Sequence, residues 1–240
     1  MDYALLQAVF LPLLLSPVAY VIARKSGPNA ATWFTFGVLL YCTILVILAS
    51  LNGTYEEHYY WTELFGEFGF LLDGLASPFA IIIYVLSTIL ALYSKPYMIH
   101  KFKENFEELQ NKQNQETSGQ STAVVSSSGL DEYVNKQSAV YYAMFLVFAM
   151  GMLGTVLATN LIEFYIFFEV MLIPAFFMVA FWGDGNKRRI ALMFFFWTHV
   201  GAVILLLGFL TIGLSVGSFD FADIQESAIP DDVVLLAAVA

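Results

Sequence analysis

Charge is what this sequence has least of. Asp, Glu, Lys and Arg together make 12% of its 240 residues, where a soluble domain carries about a quarter, so water is excluded as its main solvent. The basic residues are the scarcer sign, 10 against 20 acids, which excludes nucleic-acid binding. One cysteine, Cys42, sits inside a hydrophobic run. That excludes an internal disulfide and gives no metal-ligand spacing, and leaves Cys42 as a small lipid-facing or packed apolar residue. There is no glycine-rich phosphate loop and no pair of histidines at metal or haem spacing. The expectation is therefore no cofactor on this chain.

What the sequence has in abundance is long apolar runs, with 59% hydrophobic residues. Runs long enough to span a bilayer, about 20 residues each, occur at Ala4–Ala23, Trp33–Leu51, Leu75–Ser94, Val140–Ala158, Leu161–Trp182 and Ile190–Gly213, and another opens at Val233. The expected fold class is all-α, a polytopic transmembrane bundle with six complete spans and the start of a seventh. The first run is no secretory signal, because Asp2 precedes it and Arg24 and Lys25 follow it, the reverse of a signal's charge order.

Charge sorting supports the count. Cytoplasmic segments collect Lys and Arg, and all ten basic residues fall in the odd-numbered loops: Arg24 and Lys25; Lys95, Lys101, Lys103, Lys112 and Lys136; Lys187, Arg188 and Arg189. The second loop carries Glu56, Glu57, Glu63 and Glu67, and the sixth carries Asp220, Asp223, Glu226, Asp231 and Asp232. A missed helix would scramble this parity. The N-terminus is therefore expected on the non-cytoplasmic side.

The chain divides into the first three spans (1–94), a cytoplasmic loop (95–139), spans four to six (140–213), an acidic outer loop (214–232) and the start of a seventh helix (233–240). In the long loop, Met98, Phe102, Phe106 and Leu109 recur at helical spacing among Lys and Glu, as in an amphipathic helix lying along the interface. From Asn111 to Gly129 the composition turns to Gln, Asn, Ser, Thr and Gly, the mark of a disordered insert. Tyr59, Tyr60, Trp61 and Trp182 are expected in interfacial aromatic belts. Gly213 and Gly217 have helix-packing spacing, though at a helix end.

Away from the span ends, the only ionisable side chains are Glu169 in the fifth span and His199 in the sixth. Each lies about 13 Å into its helix, counted from opposite ends, so antiparallel neighbours bring them to nearly one depth. An acid at mid-membrane costs about 3 kcal/mol or more, so it faces the bundle interior and shares a proton or pairs with a cation. Glu169 is the first candidate for a proton relay and His199 a possible partner; the bland reading is an acid satisfied by a hydroxyl or carbonyl, and a packed histidine. Glu163, at the outer edge, is expected to be solvated. Asp73 before the third span reads as a helix cap. Pro174 frees the carbonyl of Val170, and Thr155, Thr159 and Thr198 are candidates for carrying hydrogen bonds.

The stretch Tyr141–Gly183, reading YYAMFLVFAMGMLGTVLATNLIEFYIFFEVMLIPAFFMVAFWG, resembles the fourth and fifth helices of the antiporter-like membrane subunits of respiratory complex I, the M-type above all. Its signature runs from Asn160 through Phe168 into Glu169, then Met171-Leu172-Ile173-Pro174 and Trp182-Gly183. Phe70-Leu71-Leu72-Asp73-Gly74-Leu75 is similar to the family's approach to the third helix, and Gly185 to Thr198 to its passage into the sixth. The resemblance implies that Glu169 belongs to a chain of protonatable residues and interacts with a Lys on a broken seventh helix, so that distant redox events drive protons electrostatically. This sequence ends at Ala240, before that Lys, and has Met193 where the family often has a Lys. The inverted-repeat architecture is thus incomplete, and these residues are not expected to pump alone.

Three functions follow. The leading one is a proton-translocating membrane subunit of a complex I-like quinone oxidoreductase in the cytoplasmic membrane of a prokaryotic cell, with quinone and electron carriers on partner subunits. The second is a subunit of a multisubunit Na+/H+ antiporter. The third is a structural membrane subunit without transport.

Overall fold

The structure, a computed structural model, describes residues 3–62, 65–116 and 127–227. It is mostly helical, and five of its helices are long and apolar enough to cross a membrane. In chain order the elements are α1 (Ala4–Leu51), β1 (Tyr55–Thr62), β2 (Gly66–Leu72), α2 (Ala76–Glu116), α3 (Ser127–Leu157), α4 (Leu161–Trp182), α5 (Lys187–Val216) and α6 (Phe221–Glu226). Glu63, Asp231, Asp232, the seventh run from Val233 and positions 117–126 of the expected insert lie outside the described residues.

A straight helix of 48 residues would reach about 70 Å, more than twice the bilayer's apolar thickness of about 30 Å. α1 is not straight. Gly27 adopts φ 82°, ψ 179°, open in practice only to glycine, and Pro28 follows, which disfavours helix at the preceding residue and suits a new first turn. The two arms fold back: the Tyr41 hydroxyl donates to Gln7 Oε1 across 34 positions. The expected runs Ala4–Ala23 and Trp33–Leu51 are these two arms.

α1, α2 and α3 form the core, with polar groups paired inside it. The Tyr84 hydroxyl, fully buried, donates to Ala8 O at 2.7 Å. Thr43 meets Thr88 at 3.0 Å, and Thr32 meets the Tyr142 hydroxyl at 2.6 Å. α4 packs on α3 and α5 on α4. α5 is the least enclosed, leaving Trp197 75% and Leu214 73% exposed.

Five expectations of the fold are corrected. The second loop contains an antiparallel hairpin, β1 with β2, so the fold is not purely α. The expected interfacial helix is no separate element: α2 runs unbroken to Glu116, because Met98 and Phe102 are buried, and Phe102 and Phe106 stack on Trp182, Tyr141 and Tyr133. The start of the insert, 111–116, belongs to that helix, and α3 begins at Ser127, inside the region read as loop. Trp182 is buried rather than set in a belt; its indole N–H donates to Gln137 at 3.0 Å. Gly213 and Gly217 form a helix stop instead of a packing face. Gly217 takes φ 82° and donates to Gly213 O, the left-handed C-cap geometry, and a Cβ on Gly213 would lie 2.1 Å from the Phe219 ring.

The ends of the bundle are sorted by charge. Lys101 contacts Asp184 and Lys187 contacts Asn105, at the end that also holds Gly27 beside Asn135. Glu56, Glu57, Glu67 and Asp220 gather at the other.

Candidate functional site

α4 begins at Asn160 because its side chain ties three elements together. Its Oδ1 accepts from Ile162 N at 2.9 Å, an N-cap, while its Nδ2 donates to Phe65 O at 2.6 Å and to Asp220 Oδ1 at 2.7 Å. This fixes the outer end of α4 against the hairpin turn and α6. On the facing side, Gly151 and Gly154 let α3 approach: a Cβ on Gly154 would lie 2.3 Å from the Phe167 ring, and one on Gly151 2.9 Å from the Met171 backbone. Phe167 then packs at tilted ring angles against Phe10, Phe68 and Phe70. The rotation of α4 is thereby set.

With Phe167 turned to α1 and the hairpin, Glu169 is turned to α5. Its Oε2 lies 3.3 Å from His199 Nε2, with both side chains half-buried, 22% and 30% exposed. Tyr165, one turn earlier on α4, is close enough to act on the Glu169 carboxyl electrostatically. His199 is held from its other side: Nδ1 lies 3.0 Å from Phe195 O, and the ring sits on the Phe195 ring with centroids 3.9 Å apart.

These contacts define the proton inventory. A carbonyl oxygen only accepts, so Nδ1 carries hydrogen. Nε2 is then either a bare lone pair or the second N–H of an imidazolium. A bare lone pair against an ionised carboxylate would repel. The approach is attractive with one shared proton, as a carboxylic acid donating to neutral imidazole or as an ion pair. The arrangement can therefore hold one proton at either of two atoms and exchange it between them.

The other residues singled out in the sequence fall into place differently. Asp73 caps α2, with Oδ1 accepting from Leu75 N at 3.0 Å and Ala76 N at 2.7 Å. Pro174 is buried on α4. Thr155 and Thr198 donate to carbonyls of their own helices. Glu163 is not solvated: it is 0% exposed, Oε2 accepts from Gly69 N at 3.2 Å and Thr159 N at 3.4 Å, and Oε1 has no hydrogen-bond partner among the described residues. Residue counting put it at the edge because the hairpin that covers it was not foreseen. The Tyr, Trp and Thr of 55–62, followed by Gly66, were the available signal for that hairpin.

Sequence reasoning also passed over Glu57. Its carboxylate accepts from Leu5 N at 3.0 Å and Leu6 N at 2.9 Å, capping the start of α1 from 52 residues away and satisfying amides that no local side chain serves.

Residues 158–238 match the family described as NADH:quinone oxidoreductase/Mrp antiporter, TM. NADH-quinone oxidoreductase subunit M of Rickettsia prowazekii is 25% identical over 230 residues, which cover 91% of this chain and 39% of that one. The chain is similar to the membrane subunits of complex I-type oxidoreductases. The fold agrees with those subunits: a chain in the structure of Thermus thermophilus complex I superposes with TM-score 0.69 at 18% identity, covering 98% of this chain and 42% of that one. A chain of an Mrp complex from a Dietzia species gives TM-score 0.69 at 19% identity, covering 98% and 22%. This chain thus spans less than half the length of the protein and of the solved chains that it matches. Glu163, Glu169, His199 and Asp220 all lie within the matched region.

Proposed function

We propose that this chain is a proton-translocating membrane subunit of a complex I-like quinone oxidoreductase, with the Glu169–His199 pair as a relay for the proton. The observation that carries the proposal is the 3.3 Å approach of Glu169 Oε2 to His199 Nε2, between two helices at mid-span. A charge brought near the pair changes which of the two atoms holds the proton, and that transfer is the elementary step of an electrostatically driven pump. Electron donor, redox centres and quinone belong to partner subunits in this reading.

The two arms of α1 count as separate spans, which makes six before α6. The basic end of the bundle faces the cytoplasm of a prokaryotic cell and the hairpin end faces outward, with the N-terminus outside. The exposed apolar face of α5, with Phe196, Trp197, Val200 and Val203, faces lipid or neighbouring helices of the assembly.

The test is proton pumping in membrane vesicles carrying Glu169→Gln in the genomic copy, with assembly of the parent complex measured in the same samples. Pumping lost from an assembled complex supports the relay; pumping retained makes Glu169 structural and sinks the proposal. The likeness to an Mrp chain favours a second reading, a subunit of a multisubunit Na+/H+ antiporter. Pumping that requires sodium and no quinone would select it.

A further inference from the structure

One titratable group is more deeply buried than the relay pair and has no part in it. Glu163 is wholly enclosed at the outer end of α4. Its Oε2 receives two long hydrogen bonds, from Gly69 N and Thr159 N, while Oε1 faces no donor and no cation among the described residues. A buried polar oxygen without a partner is rare and demands an occupant. No lysine or arginine supplies one, since all ten lie in the segments of the opposite end.

Thr159, on which the Glu163 carboxyl rests, also lines an open cavity of about 390 Å³ on the outer face. Its walls include Glu56, His58, Glu67, Asp220 and Asp223. His58 bridges two of the acids, Nε2 at 2.7 Å from Glu56 Oε1 and Nδ1 at 3.1 Å from Glu67 Oε2. Gly69 separates this bridge from Thr159. The Thr159 hydroxyl and His58 Nδ1 lie 2.7 and 3.1 Å from the point a Cβ on Gly69 would occupy. Only glycine leaves them open to each other.

The geometry points to Glu163 as a proton-binding site that exchanges with the outer face through Thr159 and His58. The proton sits on Oε1, where it removes an uncompensated buried charge. The exposed carboxylates collect protons and, through His58, hand them inward or take them back. Asp220, close enough to act on Glu163 electrostatically, favours the protonated form, while Glu56 and Glu67 line the cavity beside it. Glu57, a third acid of the described hairpin strands, is committed to the amides of α1. Six positions separate Glu163 from Glu169, so the site is an outer station for the relay and rests on the proton-translocating reading for its purpose.

The experiment is infrared spectroscopy of the full chain in proteoliposomes, titrated with pH and transferred to heavy water. Wild type is expected to show a carboxylic acid carbonyl band that responds to pH, is lost in Glu163→Gln, is shifted in Glu163→Asp and survives in Glu169→Gln. Thr159→Val, which removes the hydroxyl with little change of shape, is expected to slow deuterium exchange of that band at least tenfold. Superimposable spectra of wild type and Glu163→Gln overturn the site, and unchanged exchange in Thr159→Val overturns the route. Pumping by Glu169→Gln vesicles is read separately: if it persists while the Glu163 band titrates, the relay reading fails and the outer proton site stands.

Discussion

His199 Nδ1 is engaged by Phe195 O, and His199 Nε2 therefore faces Glu169 Oε2 across 3.3 Å with a single proton to share. The two residues are not equivalent in this arrangement. In the proposed relay Glu169 supplies the charge to be neutralised and His199 a second resting place for the proton. Glu169→Gln is expected to lower the ratio of protons moved to quinone reduced by more than tenfold, while His199→Phe lowers it several-fold. The double variant should be no worse than Glu169→Gln alone, since residues acting as one unit are not additive. Equal and independent losses would show that the pair does not act together.

The seat of Glu169 depends on a contact on the far side of its helix. A Cβ on Gly154 would come within 2.3 Å of the Phe167 ring, so Gly154→Ala forces α4 away from α3. Overpacking of this kind costs about 1–3 kcal/mol. Gly37, with nothing within 4 Å of its Cβ position, is the control, where alanine should be neutral or stabilising by about 0.5–1 kcal/mol. Thermal unfolding of the two variants in one detergent separates the effects, and equal melting temperatures would refute the close approach.

The helices were legible in the sequence because the bilayer permits little else: α4 begins and ends at the residues where its apolar run does. The pairing of Glu169 with His199 was legible in depth, since each is the ionisable group of its run that lies away from the span ends, but not in rotation, which Phe167 and Gly154 decide across three elements. Glu163 was misplaced for a related reason. Counting along a helix locates a residue relative to the membrane edge, yet its burial is decided by a hairpin from 94 positions earlier in the chain. Glu57 was missed likewise, since a cap supplied from 52 positions away has no local pattern.

Asn160 is the joint on which that outer end turns. Replacement by Ala removes the cap on Ile162 N and leaves the Phe65 carbonyl and the Asp220 carboxylate without their donor. At roughly 1 kcal/mol for each hydrogen bond, more where one partner is charged, Asn160→Ala is expected to cost about 2–4 kcal/mol. Asn160→Asp should retain the cap but set a second carboxylate against Asp220, and so restore only part of the loss. Unfolding monitored by circular dichroism measures both. A full rescue by Asp would mean that the contact with Asp220 contributes nothing.

At the opposite end, Asp184 in the turn between α4 and α5 meets Lys101 of α2, tying that turn to the core. The Lys101 ammonium holds the Asp184 carboxyl below the ordinary aspartate range, first through the hydrogen bond and then through its charge. The folded-state value is depressed. Whatever stability the pair contributes is therefore complete above the unfolded carboxylate value and is lost as pH falls through the lowered one, so it stays constant across neutral pH. Asp184 is 76% exposed, so solvent and salt screen the contact and its contribution is small. Asp184→Asn is expected to lower the melting temperature slightly at neutral pH and low salt, and to match wild type in molar salt or in strong acid. A large deficit that persists in molar salt would show that Asp184 is held by something other than the Lys101 charge, and that the inner end of α4 is anchored differently from the contact described.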